Sequence, residues 1–184
     1  ATMNDNSAVY SGLVPGDTFN GSYTGVFSNA NVASGKTVTI TPSYSGADVN
    51  NYSVTDQSTT TASITQKALT ATASASNKTY DGGTTASTTL TFTGLVGSET
   101  LGQTVGSTFD NKNVGTGKTV TVNSITLSNG SNGGLASNYS ISTGQTTTAN
   151  ITAKSLTVSA TMNDNSAVYS GLVPGDTFNG SYTG

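Results

Sequence analysis

Along most of this chain apolar side chains alternate with threonine or serine. "KTVTI" at 36–40, "TTLTFTG" at 88–94, "KTVTVNSITL" at 118–127 and "TTTANIT" at 146–152 all follow that pattern. A period of two with β-branched residues on alternate positions is the mark of a strand with one buried face, because successive side chains point to opposite sides of a sheet. "KALTATASA" (67–75), "TVGSTF" (104–109) and "NYSIS" (138–142) extend the set, with "YDGG" and "SNGSNGG" as turn punctuation between runs. No window carries a helical period. The pattern therefore predicts an all-β protein. Regular short strands suggest small β-sandwich or β-grasp-like modules, and spacing does not choose between the two. The expected core of the central module is Leu69, Leu90, Phe92, Val120, Val122, Tyr139, Ile141 and Ile151.

The glycine-rich stretch "NVGTGKTVTV" (113–122) invites comparison with a phosphate-binding loop, which needs G-x-x-x-x-G-K-[ST] followed by a helix. Lys112 stands where the first glycine should be, and a strand pattern follows instead of a helical one. A second copy, "NVASGKTVTI" (31–40), fails in the same way, with Ala30 in the glycine position. Both stretches are predicted to be tight turns feeding strands.

Internal repeats set the organisation. Residues 160–184, "ATMNDNSAVYSGLVPGDTFNGSYTG", are identical to residues 1–25, so the sequence repeats after 159 residues and reads as one period of a longer tandem array. Within the period, "FSNANVASGKTVTI" (27–40) aligns with "FDNKNVGTGKTVTV" (109–122), "NNYSV" (50–54) with "SNYSI" (137–141), and "TTTASITQKALTATA" (59–73) with "TTTANITAKSLTVSA" (146–160). Two sister modules alternate. One is complete at 67–153. The other begins at Lys154 and continues to 184, and residues 1–66 are the same module without its opening "KSLTVS". Boundaries at Lys67 and Lys154 also show in the phase of the apolar residues: Ile151 and Ala153 occupy odd positions, Leu156 and Val158 even ones. A one-residue phase change turns a strand's buried face over. The junctions "ITQKALT" (64–70) and "ITAKSLT" (151–157) hold neither Gly nor Pro, which predicts a semi-rigid elongated rod of modules.

Composition narrows the function. Only 8% of residues are charged, Ser and Thr make up about a third of the chain, and the net charge is −3. Nucleic acid and anionic membrane surfaces both call for clustered Lys and Arg, so neither is expected as a partner. No apolar run reaches the ~18 residues of a membrane span, so no membrane insertion is expected. The chain contains no His and no Cys, which removes the usual nucleophile and base pairs.

"KTYDGGTTA" (78–86), "GLVGSE" (94–99), "NVGTGKTVTV", "ASNYSI" and "ANITAKSLTV" together resemble the YDG repeat domain of large bacterial surface proteins over nearly all of 67–153. The sister module, with "YSGLVPGD" (10–17) and "GADVNNYSV" (46–54), is similar to the related MBG-type repeats, with a shortened segment between its opening strand and "GLVPGD". The resemblance implies secreted adhesins or cell-surface fibres of the filamentous-haemagglutinin kind, located outside the cell. It implies as partners neighbouring repeats or head-to-tail copies, and cell-surface or matrix glycans. It supplies no catalytic motif. No enzyme activity, cofactor or metal is expected.

Individual residues admit sharper readings beside plain ones. Asp81 in "YDGG" is expected to hydrogen-bond its own turn. Tyr52, Tyr80 and Tyr139 are expected as core rings with satisfied hydroxyls, the alternative being sugar-stacking platforms. Lys36 and Lys118 are expected to be solvated. An isopeptide bond from Lys118 to Asn138 is the reactive alternative, for which Asp81, Glu99 and Asp110 are the available carboxyls. Asn51-Tyr52-Ser53 and Asn138-Tyr139-Ser140 match the N-x-[ST] pattern that so Asn-rich a chain produces by chance. "MNDNS" (3–7) has too few carboxylates for a calcium loop. A lectin-like or ice-binding face built on Thr-x-Thr pairs such as Thr37 and Thr39 is the second functional reading, ice binding requiring a flat face and a short regular period.

Overall fold

A computed structural model describes residues 10–160, 167–177 and 180. The chain divides into two compact units, Ala1–Gln66 and Lys67–Gly184. Among the described residues both are all-β apart from two single 3-10 turns, at Val49–Asn51 and Ala136–Asn138.

Unit 1 is a three-stranded antiparallel sheet in the order β1-β2-β3, with β1 at Asn20–Phe27, β2 at Ala33–Ser45 and β3 at Thr59–Ile64. The alternation read from sequence sorts its faces: Val38 is fully buried while Thr37 and Thr39 look outward. Its interior is mostly aromatic. Phe19 is buried, with its ring centroid 5.1 Å from that of Tyr10, 5.2 Å from Tyr44 and 5.6 Å from Tyr52.

Unit 2 opens with the two-residue β4 (Lys67–Ala68) and continues into β5 (Thr70–Ala75). Further on come β6 (Lys78–Thr79), β7 (Thr85–Ala86), β8 (Thr88–Thr93), β9 (Leu101–Phe109), β10 (Gly115–Asn129), β11 (Tyr139–Ser140) and β12 (Thr146–Thr152). The main sheet runs β6-β12-β10-β9-β7, with β6 parallel to β12 and the other pairs antiparallel. A two-stranded ribbon of β5 and β8 lies beside it, and a parallel pair joins β4 to β11. Ala86, Phe109, Val120, Ala149 and Ile151 form the core, with Ala75 of the ribbon and Tyr80 packed against them.

Six of the eight expected core residues are buried, namely Leu69, Leu90, Val120, Val122, Tyr139 and Ile151. Phe92 and Ile141 are half-buried, and Phe109, Ala86 and Ala149 join the core unforeseen. The Gln103 carboxamide ties ribbon to sheet, accepting from the Leu90 N–H at 3.0 Å and donating to the Leu90 carbonyl at 2.7 Å. One amide side chain thus does what a strand rung would do.

β10 changes face along its length. Its register with β9 slips between Val122 and Ser124, leaving Asn123 as the extra residue of a bulge. Upstream the apolar residues are Val120 and Val122; downstream they are the half-buried Ile125 and Leu127. After β12 the chain leaves the sheet at Thr152, and β13 (Thr157–Ala160) pairs antiparallel with β14 (Ala167–Ser170). Leu156 is half-buried against Gly171 and Val158 is 41% exposed, so neither joins the core around Ile151.

The sister relation extends to hydrogen-bond register. Phe27 faces Val38 and Lys36 faces Ala62 in unit 1; Phe109 faces Val120 and Lys118 faces Ala149 at the aligned positions of unit 2. Both long strands also slip register at the same point, between Ala33 and Lys36 and between Gly115 and Lys118. Gly35 and Gly117 sit in these slips at φ +62° and +60°, a left-handed conformation that a side chain disfavours. This is what the Gly-Lys-Thr stretches are: bulge glycines at the start of a strand, with no helix to bind phosphate.

Candidate functional site

The polar side chains of each unit form small latches that hold loops to strands. In unit 2 the Tyr139 hydroxyl donates to Glu99 Oε2 at 2.5 Å and accepts the Val96 N–H at 3.0 Å. In unit 1 the Tyr52 hydroxyl donates to Asp17 Oδ2 at 2.6 Å and accepts the Val14 N–H at 2.9 Å. The two are one device at aligned positions, pinning "GLVGSE" and "GLVPGD" to the strand-like segment carrying the tyrosine. The carboxylate beside each phenol raises its pKa, since the hydrogen bond needs the phenolic proton. Both hydroxyls are satisfied, as expected, but only the Tyr139 ring is buried in a core; the Tyr52 ring is half-buried.

A second latch closes the "YDGG" turn. Asp81 Oδ1 accepts the Gly83 N–H at 2.9 Å, with Gly82 at φ +82° between them, which is the turn predicted from sequence. Lys78 adds what sequence reasoning missed. Its ammonium lies 2.7 Å from Asp81 Oδ1, donates to the carbonyls of Gly83 (2.9 Å) and Thr85 (3.2 Å), and stands 5.7 Å from the Phe109 ring centroid. The Lys78 hydrogen bond holds the Asp81 carboxyl below the usual range, helped by that from Gly83.

Lys118 corrects an expectation. Its side chain is only 9% exposed, and its ammonium lies 3.0 Å from Asp110 Oδ1 and 2.6 Å from Asn111 Oδ1. Lys36 likewise donates to Asn29 Oδ1 at 2.6 Å and is half-buried. Neither is a solvated terminus, because the bulge turns the lysine back over the loop that precedes it. Ser28 aligns with Asp110, so the unit 1 lysine lacks the ion pair. The Lys118 hydrogen bond lowers the Asp110 pKa.

The isopeptide alternative fails on geometry. The Ala136 N–H donates to the Asn129 side chain at the far end of β10, eleven residues from Lys118, on the order of 30 Å of extended strand. Asn138 follows two residues later, and the three carboxyls serve three separate partners: Asp81 with Lys78, Glu99 with Tyr139, Asp110 with Lys118.

Tyr80 belongs to a cluster that no sequence argument singled out. The Asp176 carboxyl beside its hydroxyl raises the Tyr80 pKa, and Lys112 Nζ lies 3.4 Å from Asp176 Oδ1 and 6.0 Å from the Tyr80 ring centroid. Beside them Val173 is 9% exposed, so close that a Cβ on Gly82 would stand 2.5 Å from Val173 Cγ1. The Tyr80 hydrogen bond is the main cause lowering the Asp176 pKa, with Lys112 contributing. The "GLVPGD" loop at 171–176 is thereby seated on the "YDGG" turn of the module before it. The signal available was Lys112, whose counterpart in unit 1 is Ala30.

The outward faces are hydroxyl surfaces. Thr146, Thr121, Thr108 and Thr85 stand side by side across β12, β10, β9 and β7, and Thr119 faces Thr148. On the ribbon, Thr70, Thr72 and Ser74 oppose Thr93, Thr91 and Thr89, all six exposed. In unit 1 Thr37 faces Thr61 and Thr39 faces Thr59. Threonines far apart along the chain thus become rows across strands.

Among the described residues no three acidic, histidine or cysteine side chains gather as metal ligands, and no helix is long and apolar enough to cross a membrane. "MNDNS" (3–7) lies outside the described residues. No curated protein and no solved structure matches the chain. The sequence model of the YDG domain matches residues 1–62 and 65–149, so the module that resembled MBG-type repeats matches the same family as its sister. With most of its length matched, the chain belongs to the YDG-domain family.

Proposed function

We propose that this chain is a structural repeat segment of an extracellular bacterial adhesin or surface filament, a rod of small sandwich-like modules that acts as a stalk or links cells and matrix. On this reading it has no catalytic centre and no cofactor. The observation that supports it most is the repetition of one pairing register, bulge and tyrosine latch in two units, followed by a third copy of the same loop. Such a chain repeats its scaffold and not a pocket. The latches consume the polar groups that a catalytic site would need free. The test is electron microscopy of the native protein with small-angle scattering from an array of several periods. Uniform filaments and a semi-rigid rod are expected; scattering that fits a freely jointed chain of domains would refute the stalk.

The hydroxyl rows favour a second reading, a carbohydrate- or ice-binding face, because four aligned threonines are spaced at about 4.8 Å across the strands. Glycan-array and ice-recrystallisation assays decide it: activity lost in Thr121→Val would establish that face, and inactivity in both assays would remove it.

A further inference from the structure

The bulge at the head of β10 brings Lys118, Asn111 and Asp110 into mutual contact. Lys118 Nζ donates to Asn111 Oδ1 at 2.6 Å and lies 3.0 Å from Asp110 Oδ1, its side chain only 9% exposed. Asn111 Nδ2 donates to Asp110 Oδ2 at 3.2 Å. One carboxylate thus touches both the lysine nitrogen and the nitrogen of the carboxamide. The Asn113 N–H completes the arrangement, donating to Asn111 Oδ1 at 3.0 Å. Backbone bonds hold the groups in place: the Asp110 N–H donates to the Thr119 carbonyl, and the Asn111 N–H to Asp110 Oδ1. These are the parts that acyl transfer from an amide to an amine requires. They comprise a nucleophile, an electrophilic carbonyl, a carboxyl within reach of both nitrogens, and a donor on the oxygen where charge develops.

The sister module repeats all of these parts but one. Lys36 Nζ donates to Asn29 Oδ1 at 2.6 Å, and the Asn31 N–H donates to the same oxygen at 3.0 Å. Ser28 stands at the position of Asp110 and has no carboxyl to carry protons. The two units therefore offer the same amine and amide with and without an acid–base group between them. Asn111, unlike Asn138, lies within hydrogen-bond reach of Lys118.

We propose that unit 2 closes an intramolecular isopeptide bond between Lys118 Nζ and Asn111 Cγ, with Asp110 as the catalytic carboxyl, and that unit 1 leaves its Lys36–Asn29 counterpart open. The Lys118 ammonium first passes a proton to Asp110. The freed amine attacks Asn111 Cγ, a C–N bond forms, and the carbonyl electron pair moves onto Oδ1 beside the Asn113 N–H. Asp110 hands its proton to Nδ2 and takes the second proton from Nζ. The Cγ–Nδ2 bond then breaks, the carbonyl re-forms, and the departing ammonia recovers that proton as ammonium. A lysine ammonium and a carboxamide become a secondary amide and ammonium, with no oxidant and no cofactor. Holding the reactants in contact supplies the proximity that lets so unreactive an amide react. The ion pair with Lys118 stabilises the Asp110 carboxylate, so the first proton transfer is the slow step and closure matures over time. The reaction is a single self-modification and does not depend on the stalk reading, since a stalk without the bond is still a stalk.

Intact-mass measurement of the purified full chain, repeated over days and followed by tryptic digestion, tests the bond. The chain is expected to lose one ammonia and not two. Trypsin is expected to leave Lys118 uncut and to release peptides 79–112 and 113–154 joined as one branched species. Asp110→Ser, which copies unit 1, and Lys118→Arg are each expected to stop the loss while keeping the β-sheet circular dichroism spectrum. Ser28→Asp is expected to make unit 1 lose a second ammonia. The proposal is overturned if Lys118 stays open to trypsin after days, including where ammonia is lost as a succinimide at an Asn-Gly step such as Asn132-Gly133. It is equally overturned if the branched peptide survives Asp110→Ser. Should that variant not fold, Ser28→Asp decides the role of the carboxyl, and no second loss there overturns it.

Discussion

Tyr139 and Tyr52 show how a single hydroxyl fixes a loop. Each phenol accepts from a backbone N–H and donates to a carboxylate, so it needs its proton. Their pKa values are raised, chiefly by that carboxylate, so folding favours the protonated phenol. This contribution is complete below the ordinary tyrosine value of about 10 and is lost as pH rises through the higher folded value. Asp81 and Asp110 behave oppositely, their pKa values being lowered chiefly by Lys78 and Lys118. Their contribution is complete above the ordinary carboxylate value of about 4 and is lost as pH falls through the depressed one. Stability is therefore expected to be flat from about pH 5 to 9 and to fall on both sides. Urea unfolding followed by circular dichroism across pH, with tyrosinate absorbance read in parallel, checks both limbs. Tyr139→Phe is expected to lower the midpoint at neutral pH and to weaken the alkaline limb; an unchanged midpoint would show that the latch contributes nothing.

At the scale of the element, the bulge at the head of β2 and of β10 decides where the lysine goes. Gly35 and Gly117 have positive φ, and nothing lies within 4 Å of a Cβ built on either. An alanine there would meet no neighbour, so its effect isolates the cost of the left-handed backbone. Gly117→Ala and Gly35→Ala are each expected to destabilise their own unit by about 1 kcal/mol. Chemical denaturation with unit-specific probes measures this, and a neutral result at both sites would mean that the bulge relaxes. The bulge at Asn123 has the opposite legibility. Val120 and Val122 followed by Ile125 and Leu127 show the phase change in the sequence itself. The two-residue strands β6 and β7 had no such signal, because two residues cannot display a period.

At the scale of the whole molecule the units differ in how much apolar surface they bury. Unit 2 buries nine hydrophobic residues between Leu69 and Ile151, whereas among the described residues of unit 1 only Phe19 and Val38 are buried to the same degree. Core burial is the main source of stability, and small domains have little to spare. Amides of β1–β3 are therefore expected to exchange with deuterium through openings of lower free energy than those of β9, β10 and β12. Hydrogen exchange at increasing urea resolves the two, and equal protection in both sheets would refute the ranking.

The sequence by itself determined the class and the local register. Strict Thr-Val alternation dictates strands with one apolar face, the aligned repeats dictate that two units share one plan, and Asp-Gly-Gly dictates its turn; each depends only on neighbours along the chain. The tertiary structure alone decided which residues meet across it. Lys118 reaches Asp110 because the bulge folds it back, Asp176 meets Lys112 because one loop seats on another, and threonines from four strands become one row because registers align. Backbone hydrogen-bonding groups form a strand only when a partner strand lies alongside, and one-dimensional sequence does not record which partner is present.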